Sequence, residues 1–310
     1  MISRRQFVSI SGALLAATAL PIPPRVNAGA ATSGPLGRPI GIQLYTVREQ
    51  ASADLAGTLA ALAAIGYREI ELAGLHERSA HEFARLLNAH GLRATAAHYS
   101  MFALQTDLGQ KIEDLKTLGV EHLVCSFPGT PDVARLAGEP GGPGAAIMRG
   151  GLTLDDWRWN GDEMNRVAEA AAASDLRCAY HNHAMEFVDY NGVRAFDVLL
   201  QRADAQLVDV ELDCAWVAAG GENPADYIRQ LGGRVTLLHI KDLLSIQGPS
   251  FETTPVGSGV IDWAAVFAAV NPGRLAHYFV EQEHFRMLPL AAARASFEYL
   301  TGLAAEQARG

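Results

Sequence analysis

The sequence predicts a single (β/α)8 barrel, and three observations carry this prediction. After residue 38 the chain alternates eight short β-type runs with Ala- and Leu-rich helical segments. The first run leads into Tyr45-Thr46-Val47-Arg48, not into the glycine-rich turn expected after the first strand of an open doubly wound sheet. The later runs end in clusters of ionisable residues, and their starts show no such clusters. This asymmetry is typical of barrels that carry their site at the carboxyl ends of the strands.

After the first strand, each predicted strand follows a helical segment that ends at a glycine or a polar turn. Glycines that suit a left-handed helix cap stand at Gly66, Gly91, Gly119 and Gly232. The predicted helices include residues 54–65, 79–90, 108–118, 161–174 and 224–231. The predicted strands are residues 40–45, 68–72, 93–98, 121–126, 176–183, 207–213, 234–241 and 276–283.

One domain accounts for the chain after residue 38. A length of 310 residues is common for a single barrel, here predicted over 39–305, and no second domain is expected. The Pro- and Gly-rich stretch 127–160 is predicted to be an expanded loop over the barrel mouth. The three cysteines are far apart in predicted strands, which favours small buried side chains over disulfide or metal chemistry: Cys125, Cys178 and Cys214.

The first 28 residues read as an export signal. Arg4 and Arg5, with Phe7 two positions on, resemble the twin-arginine motif, and a short apolar run follows. Residues 26–28 offer a cleavage site near Ala28, and 29–38 is predicted to be a flexible linker. An ordinary secretory signal that contains two arginines is the alternative. We therefore expect the twin-arginine machinery as a partner, a periplasmic or secreted location and no stable membrane anchor.

The charge balance points to a small-molecule substrate. A net charge of -9 argues against a nucleic-acid surface, which needs clustered Lys and Arg. It fits a soluble protein that handles a neutral carbohydrate or a cation. The sequence is also compatible with a homo-oligomer.

Alternation along the later strands predicts an inward-facing polar cluster. Strand five ends in His181-Asn182-His183, which places both imidazoles on one face, and Glu186 follows. Strand six carries Asp209, Glu211 and Asp213 at alternate positions, which places them on one face of the strand. Strands seven and eight add further candidates at their ends: His239, Lys241, Glu281 and Glu283.

Carboxylates and imidazoles drawn from four consecutive strands predict a divalent metal, with Mn²⁺ preferred and Co²⁺, Zn²⁺ or Mg²⁺ as alternatives. Ionisable side chains inside a barrel are costly unless they are paired or bind a metal. Lys241 could form a surface pair with Asp242, but it shares the parity of His239 and is expected to reach the substrate. The residues expected to bind substrate are Gln43, Tyr45, His98, Trp216 and Glu283.

These residues resemble the sugar phosphate isomerase/epimerase family, the xylose isomerase-like barrels. The resemblance covers nearly all of 39–305. Its matching segments are GIQLYTVRE (41–49), IGYREIEL (65–72), YHNHAMEF (180–187), ELDCAW (211–216), HIKD (239–242), GSGVIDW (257–263) and VEQE (280–283). Each segment is weakly specific alone, but their number and order make a strong match.

The resemblance implies a metal held by Glu, Asp, His and Glu from strands five to eight. Asp213, His239 and Glu281 match the last three positions. His181 stands where many members have Glu, so Glu186, His181 and His183 compete for the first position and for proton transfer. Glu186 is taken as the fourth ligand, with His181, His183 and Lys241 as catalytic residues.

In better-understood members the metal stabilises an enediolate, and the resemblance therefore implies an isomerase or epimerase acting on a free sugar or keto-sugar. The first alternative is a lyase, hydrolase or dehydratase on 3-keto-glycosides or inososes, because glycosides are available to an exported protein and phosphorylated intermediates are not. Two other classes are a periplasmic sugar-binding protein and an endonuclease-IV-like repair enzyme. The metal cluster argues against the first, and the acidic charge and export signal argue against the second.

Overall fold

The computed structural model describes residues 33–246 and 251–309, and it confirms the barrel. Eight parallel strands close in the order β1-β10-β7-β6-β5-β4-β3-β2, so neighbours in sequence are neighbours in space. The predicted signal peptide, residues 1–28, lies outside the described residues. The barrel strands are β1 (Gly41–Gln43), β2 (Glu69–Leu72), β3 (Arg93–Ser100), β4 (His122–Phe127), β5 (Arg177–His181), β6 (Val208–Asp213), β7 (Val235–Ile240) and β10 (His277–Val280). A separate antiparallel pair is formed by β8 (Asp242–Leu243) and β9 (Thr253–Thr254).

Helices surround the barrel. Gly119 ends α4 in the left-handed conformation at φ 70°, as its position predicts. None of the described helices is long and apolar enough to span a membrane. The helices are α1 (Arg48–Ala53), α2 (Leu55–Ile65), α3 (Ala80–Ala89), α4 (Met101–Leu118), α5 (Gly142–Met148), α6 (Leu154–Ala172), α7 (Ala195–Arg202), α8 (Cys214–Ala219), α9 (Pro224–Leu231), α10 (Trp263–Ala269) and α11 (Pro289–Gln307). Short 3₁₀ turns cover Leu44–Val47, Val133–Leu136, Met185–Phe187 and Gly232–Arg234.

Two segments that were predicted to be irregular are ordered. The stretch 127–160 contains α5, which has Pro143 in its first turn, and the start of α6, where Thr153 and Asp156 form a capping box. Residues 33–38, within the predicted flexible linker, form a turn in which the Gly34 N–H donates to the Arg38 carbonyl at 2.8 Å. Gly34 is buried beneath Tyr278, so this part of the chain packs on the barrel.

The barrel interior is layered. A small apolar layer lies in the middle, and charged residues occupy the strand ends on either side of it. The predicted cysteine environments are confirmed, since all three are buried and unpaired. The apolar layer consists of Ala96, Val124, Ala179, Leu237 and Phe279.

Candidate metal centre and substrate pocket

A cavity of about 440 Å³ lies at the carboxyl ends of the barrel strands. Three histidines line this cavity together with aromatic and acidic side chains. Such a mixture of apolar surface and a few convergent polar groups is typical of small-molecule sites. Tyr45, 44% exposed, stands at the rim. The full lining is Tyr45, Ala73, His98, Ser126, Phe127, Met148, His181, His183, Trp216, Glu281 and Glu283.

Four side chains that come from consecutive barrel strands form a group that could hold a divalent metal. Their donor atoms all lie within 4.8 Å of one another, and each side chain is buried. Asp213 ends β6 and also caps α8, because its Oδ1 accepts the Trp216 N–H at 2.8 Å. Its Oδ2 is buried and faces Lys241 Nζ at 2.9 Å. The group is His181, Asp213, His239 and Glu281.

The two imidazoles of this metal-ligand group are oriented by carboxylates outside it. Glu71 Oε2 lies 2.5 Å from His239 Nε2, and Glu211 Oε2 lies 3.1 Å from His181 Nδ1. A carboxylate on one ring nitrogen fixes the ring and leaves the other nitrogen available, the arrangement seen around metal-bound histidines. Two imidazole and two carboxylate donors suit Mn²⁺, Co²⁺ or Zn²⁺. The residues therefore fit a divalent metal.

Lys241 lies behind the cavity wall among three carboxylates. Its Nζ is 2.9 Å from Asp213, 2.7 Å from Glu281 and 2.7 Å from Glu283, and 5.0 Å from the centre of the Trp216 ring. Burial alone would lower the pKa of Lys241, but these three carboxylates outweigh it and raise the pKa well above the usual value. The ammonium group stays charged and offsets the negative charge of the site. The alternative of a surface pair with Asp242 is wrong, because both side chains are buried.

Glu71 and Glu211 form a second polar layer under the cavity. His98 Nε2 lies 2.6 Å from Glu211 and 3.2 Å from Glu71. Burial opposes the charge on His98, but Glu71 and then Glu211 raise its pKa to about 9. Burial, followed by the nearby Glu71, raises the pKa of Glu211 to about 7. His98 therefore carries a proton between the two carboxylates.

Sequence reasoning missed Glu71, although strand two held the signal. REIEL places Glu69 and Glu71 on one parity, as in strand six, and both face inward. Gln43, predicted to bind substrate, is fully buried and donates its amide to Glu71 Oε2 at 2.9 Å, so it supports the second polar layer.

The other predicted substrate-binding residues line the cavity: Tyr45, His98, Trp216 and Glu283. Trp216 forms one wall and lies beside His183, with 5.5 Å between ring centres. Its indole Nε1 and the Nδ1 of His183 are buried, and neither has a hydrogen-bond partner in the part of the chain that is described.

The sequence pattern of the xylose isomerase-like TIM barrel family matches residues 59–303. The chain belongs to this family. Its closed barrel of eight parallel strands is the fold expected of a xylose isomerase-like barrel.

Two inosose dehydratases are similar to this chain. The protein from Geobacillus thermodenitrificans is 22% identical over 265 residues, which cover 77% of this chain and 86% of that protein. The protein from Clostridium botulinum, strain Eklund 17B, is 23% identical over 192 residues. That match covers 59% of this chain and spans about three fifths of the relative, 61% of its length.

Solved xylose isomerase-like structures share the fold. A sugar phosphate isomerase/epimerase from Parabacteroides distasonis superimposes with a TM-score of 0.70 at 21% identity, covering 92% of this chain and 99% of the other. The IolI protein with a bound zinc atom gives 0.62 at 16% identity, with coverages of 86% and 98%. An L-ribulose 3-epimerase gives 0.63 at 18% identity, with coverages of 87% and 95%. At these identities the likeness concerns the fold alone.

Glu186, predicted to be the fourth ligand, lies outside the metal-ligand group. It is fully buried, and its two oxygens accept the Tyr180 hydroxyl at 2.7 Å and the His183 backbone N–H at 2.8 Å. These bonds hold the YHNH turn after β5. Burial raises the pKa of Glu186 to about 7 despite them. His181 thus takes the place in the ligand group for which the three residues competed.

Glu186→Gln should therefore leave metal binding unchanged, whereas His181→Asn should weaken it. The glutamine amide would face a buried donor, so we expect unfolding free energy to fall by about 1–3 kcal/mol. Metal affinity by competition with a chelator and urea unfolding would check both. Loss of the metal in the Glu186 variant and its retention in the His181 variant would reverse the assignment.

Proposed function

We propose that this protein is a metal-dependent enzyme that isomerises or epimerises a free sugar or keto-sugar through an enediolate. One observation carries the proposal: four buried metal-donor side chains meet, and two of them, His181 and Glu281, line a cavity of sugar size. A divalent metal in such a site would stabilise negative charge on the substrate oxygens as the proton beside the carbonyl leaves. We propose Mn²⁺ as the metal, held by His181, Asp213, His239 and Glu281.

The chain's own residues supply the rest of the chemistry. His183 lines the cavity, and we assign to it the role of accepting or returning a proton at the substrate. His98, protonated between Glu71 and Glu211, can donate a hydrogen bond to a substrate oxygen. Trp216 offers a flat apolar face to the sugar ring. Lys241 keeps the carboxylates in place and holds positive charge beneath the substrate.

A second candidate is elimination from an inosose or a 3-keto-glycoside. It starts with the same proton removal, and the inosose dehydratase relatives favour it. An apolar groove of about 210 Å³ also adjoins the catalytic cavity, with which it shares Phe127. The groove would hold the leaving group of a glycoside, and Phe102, 70% exposed, stands beside it. Export by the twin-arginine route, which we also propose, would bring the enzyme to such glycosides.

Proton NMR in D2O with the Mn²⁺-loaded protein separates these reactions. We expect a keto-sugar to lose the signal of the proton beside its carbonyl and to give an isomer, with no group released. Release of water from an inosose, or of an aglycone from a 3-keto-glucoside, would identify the elimination instead. His183→Asn should lose the exchange but keep the metal, which separates proton transfer from metal binding. Saturable sugar binding without exchange or turnover would reject both reactions and leave a sugar-binding protein.

A further inference from the structure

A second cluster of metal-donor side chains lies at the opposite end of the barrel. Glu121, His122 and His277 bring a carboxylate oxygen and two ring nitrogens within 4.8 Å of one another. The apolar layer of the barrel separates this cluster from the substrate pocket. It adjoins a cavity of about 460 Å³ at the amino-terminal face, whose lining includes Glu121 and His277. Nothing in the proposed reaction uses these residues.

His122 is the buried side chain of this cluster whose ring nitrogens lack well-formed hydrogen bonds. It is 1% exposed, and neither of its ring nitrogens has a well-formed hydrogen bond within the described ranges, although a backbone group of Thr95 lies close enough to raise the pKa of the ring. A buried polar group without a partner is costly, so such groups in native proteins are usually bound by water or an ion. Burial, and then the neighbouring His277, lower the pKa of His122 to about 4, so its ring is neutral at physiological pH. A neutral imidazole is the form that binds a metal.

His277 is held in the orientation of a metal-bound histidine. Its Nδ1 lies 2.7 Å from Glu69 Oε2, and its Nε2 lies 3.2 Å from Glu121 Oε2. Glu69 thus serves as the outer carboxylate that orients the ring. The other oxygen of Glu121 accepts Arg93 at 3.2 Å, so Arg93 neutralises that carboxylate without using the atom that faces the histidines.

We propose that Glu121, His122 and His277 form a second divalent-metal site, of the kind that binds Zn²⁺. Two imidazoles and one carboxylate are a usual zinc donor set, with a fourth position left for water from the adjoining cavity. Glu121 is half exposed, so an ion can enter from solvent. The adjoining cavity is also lined by Arg38, Arg177 and Arg274, of which Arg177 is paired with Asp209 at 2.6 Å and Arg274 donates to the Gly233 carbonyl at 2.9 Å.

The position of the ligands gives this site a structural role. Three strands separate β4, which carries His122, from β10, which carries His277, in either direction around the barrel. The two histidines therefore come from opposite walls and meet with their ring centres 5.5 Å apart. A metal between them would link these walls across the end of the barrel. Because it binds only the folded chain, it would stabilise the protein in proportion to the logarithm of its concentration.

Zinc stoichiometry in four proteins tests this site separately from the proposed function. Wild type, Asp213→Asn, His122→Phe and the double variant would be stripped with chelator, dialysed against micromolar Zn²⁺ and analysed for bound metal. We expect two, one, one and no equivalents per chain. If only the substrate-pocket centre exists, the pattern is one, none, one and none, and this inference fails. If only the opposite site exists, it is one, one, none and none, and the proposed metal centre fails instead.

Thermal unfolding gives the second readout. His122 makes no well-formed hydrogen bond through its ring, so His122→Phe removes a ligand with little loss of hydrogen bonding and should fold as well as zinc-free wild type. Zinc should raise the unfolding temperature of Asp213→Asn but not that of the double variant. Should the phenylalanine variant fail to fold, Glu121→Gln at the half-exposed ligand should weaken zinc binding at least about tenfold. Equal zinc affinity in Glu121→Gln and wild type would overturn the site, and water would then be the partner of His122.

Discussion

Asp213→Asn is expected to lose the metal of the substrate pocket and nearly all activity while the barrel stays folded. The asparagine is isosteric and keeps an oxygen for the Trp216 N–H, so the cap of α8 survives. It removes the negative charge that faces Lys241 at 2.9 Å and His239 at 3.8 Å. We expect kcat/KM to fall by about 10³-fold or more, roughly 4 kcal/mol of transition-state stabilisation. Metal analysis and steady-state kinetics on the same preparation would measure both losses.

Asp209→Asn is the matched control for this substitution. Asp209 lies on the same strand and faces inward on the same parity, but it belongs to the opposite end of the barrel and pairs with Arg177. It should lose about 1 kcal/mol of stability and keep both the pocket metal and the activity. An Asp213→Asn enzyme that is active without metal, or a wild-type enzyme insensitive to chelator, would contradict the proposed centre.

The largest stability loss is expected from Asp242→Ala. The Asp242 carboxylate is fully buried and accepts hydrogen bonds from the backbone N–H groups of residues 243, 257, 259 and 261 at 2.9–3.2 Å and from Trp263 Nε1 at 3.0 Å. Alanine would leave these donors without their acceptor, and the donors of Leu243 and Trp263 are buried. We expect unfolding free energy to fall by about 3–5 kcal/mol, measured by urea denaturation.

Asp262→Ala provides the comparison. Asp262 lies in the same segment and caps α10 through the Ala265 N–H at 3.0 Å, but this bond is exposed. Loss of an exposed cap should cost about 1 kcal/mol. If Asp242→Ala were no more damaging than Asp262→Ala, the hydrogen bonds to Asp242 would not hold the segment in place. The expected large loss of stability would also explain why the segments HIKD and GSGVIDW occur together, since they contact each other through the Asp242 carboxylate.

The fold followed from the sequence because each strand carries its own local signal. Alternation and helix-stop glycines place all eight strands to within a few residues, as for 121–126 against His122–Phe127. The region 127–160 was harder because Pro and Gly are ambiguous there. Pro143 lies in the first turn of α5, where its missing N–H needs no partner, whereas the sequence reading took it as a loop signal.

The site was only partly predictable from the sequence, because the closure of the barrel decides which side chains meet across its interior. Alternation placed Asp213, His239 and Glu281 among the inward-facing candidates of neighbouring strands, and the family resemblance singled them out as metal ligands. Glu71 was missed, since its contact with His239 joins residues 168 positions apart across the barrel. The role of Asp242 was also out of reach, because four of its five donors are backbone groups that carry no residue signature.

The apolar layer between the two ends of the barrel closes the barrel axis to ions and water. Ala96, Val124, Ala179, Leu237 and Phe279 are fully buried and offer no polar side-chain atom to a hydrated ion or to a chain of water molecules. Neither a proton nor a metal ion can therefore pass along the barrel axis without losing its hydration shell. Each end must exchange with the solvent on its own face. Metal could then be loaded or stripped at one mouth while the other keeps its occupancy, and the two events should have separate rates.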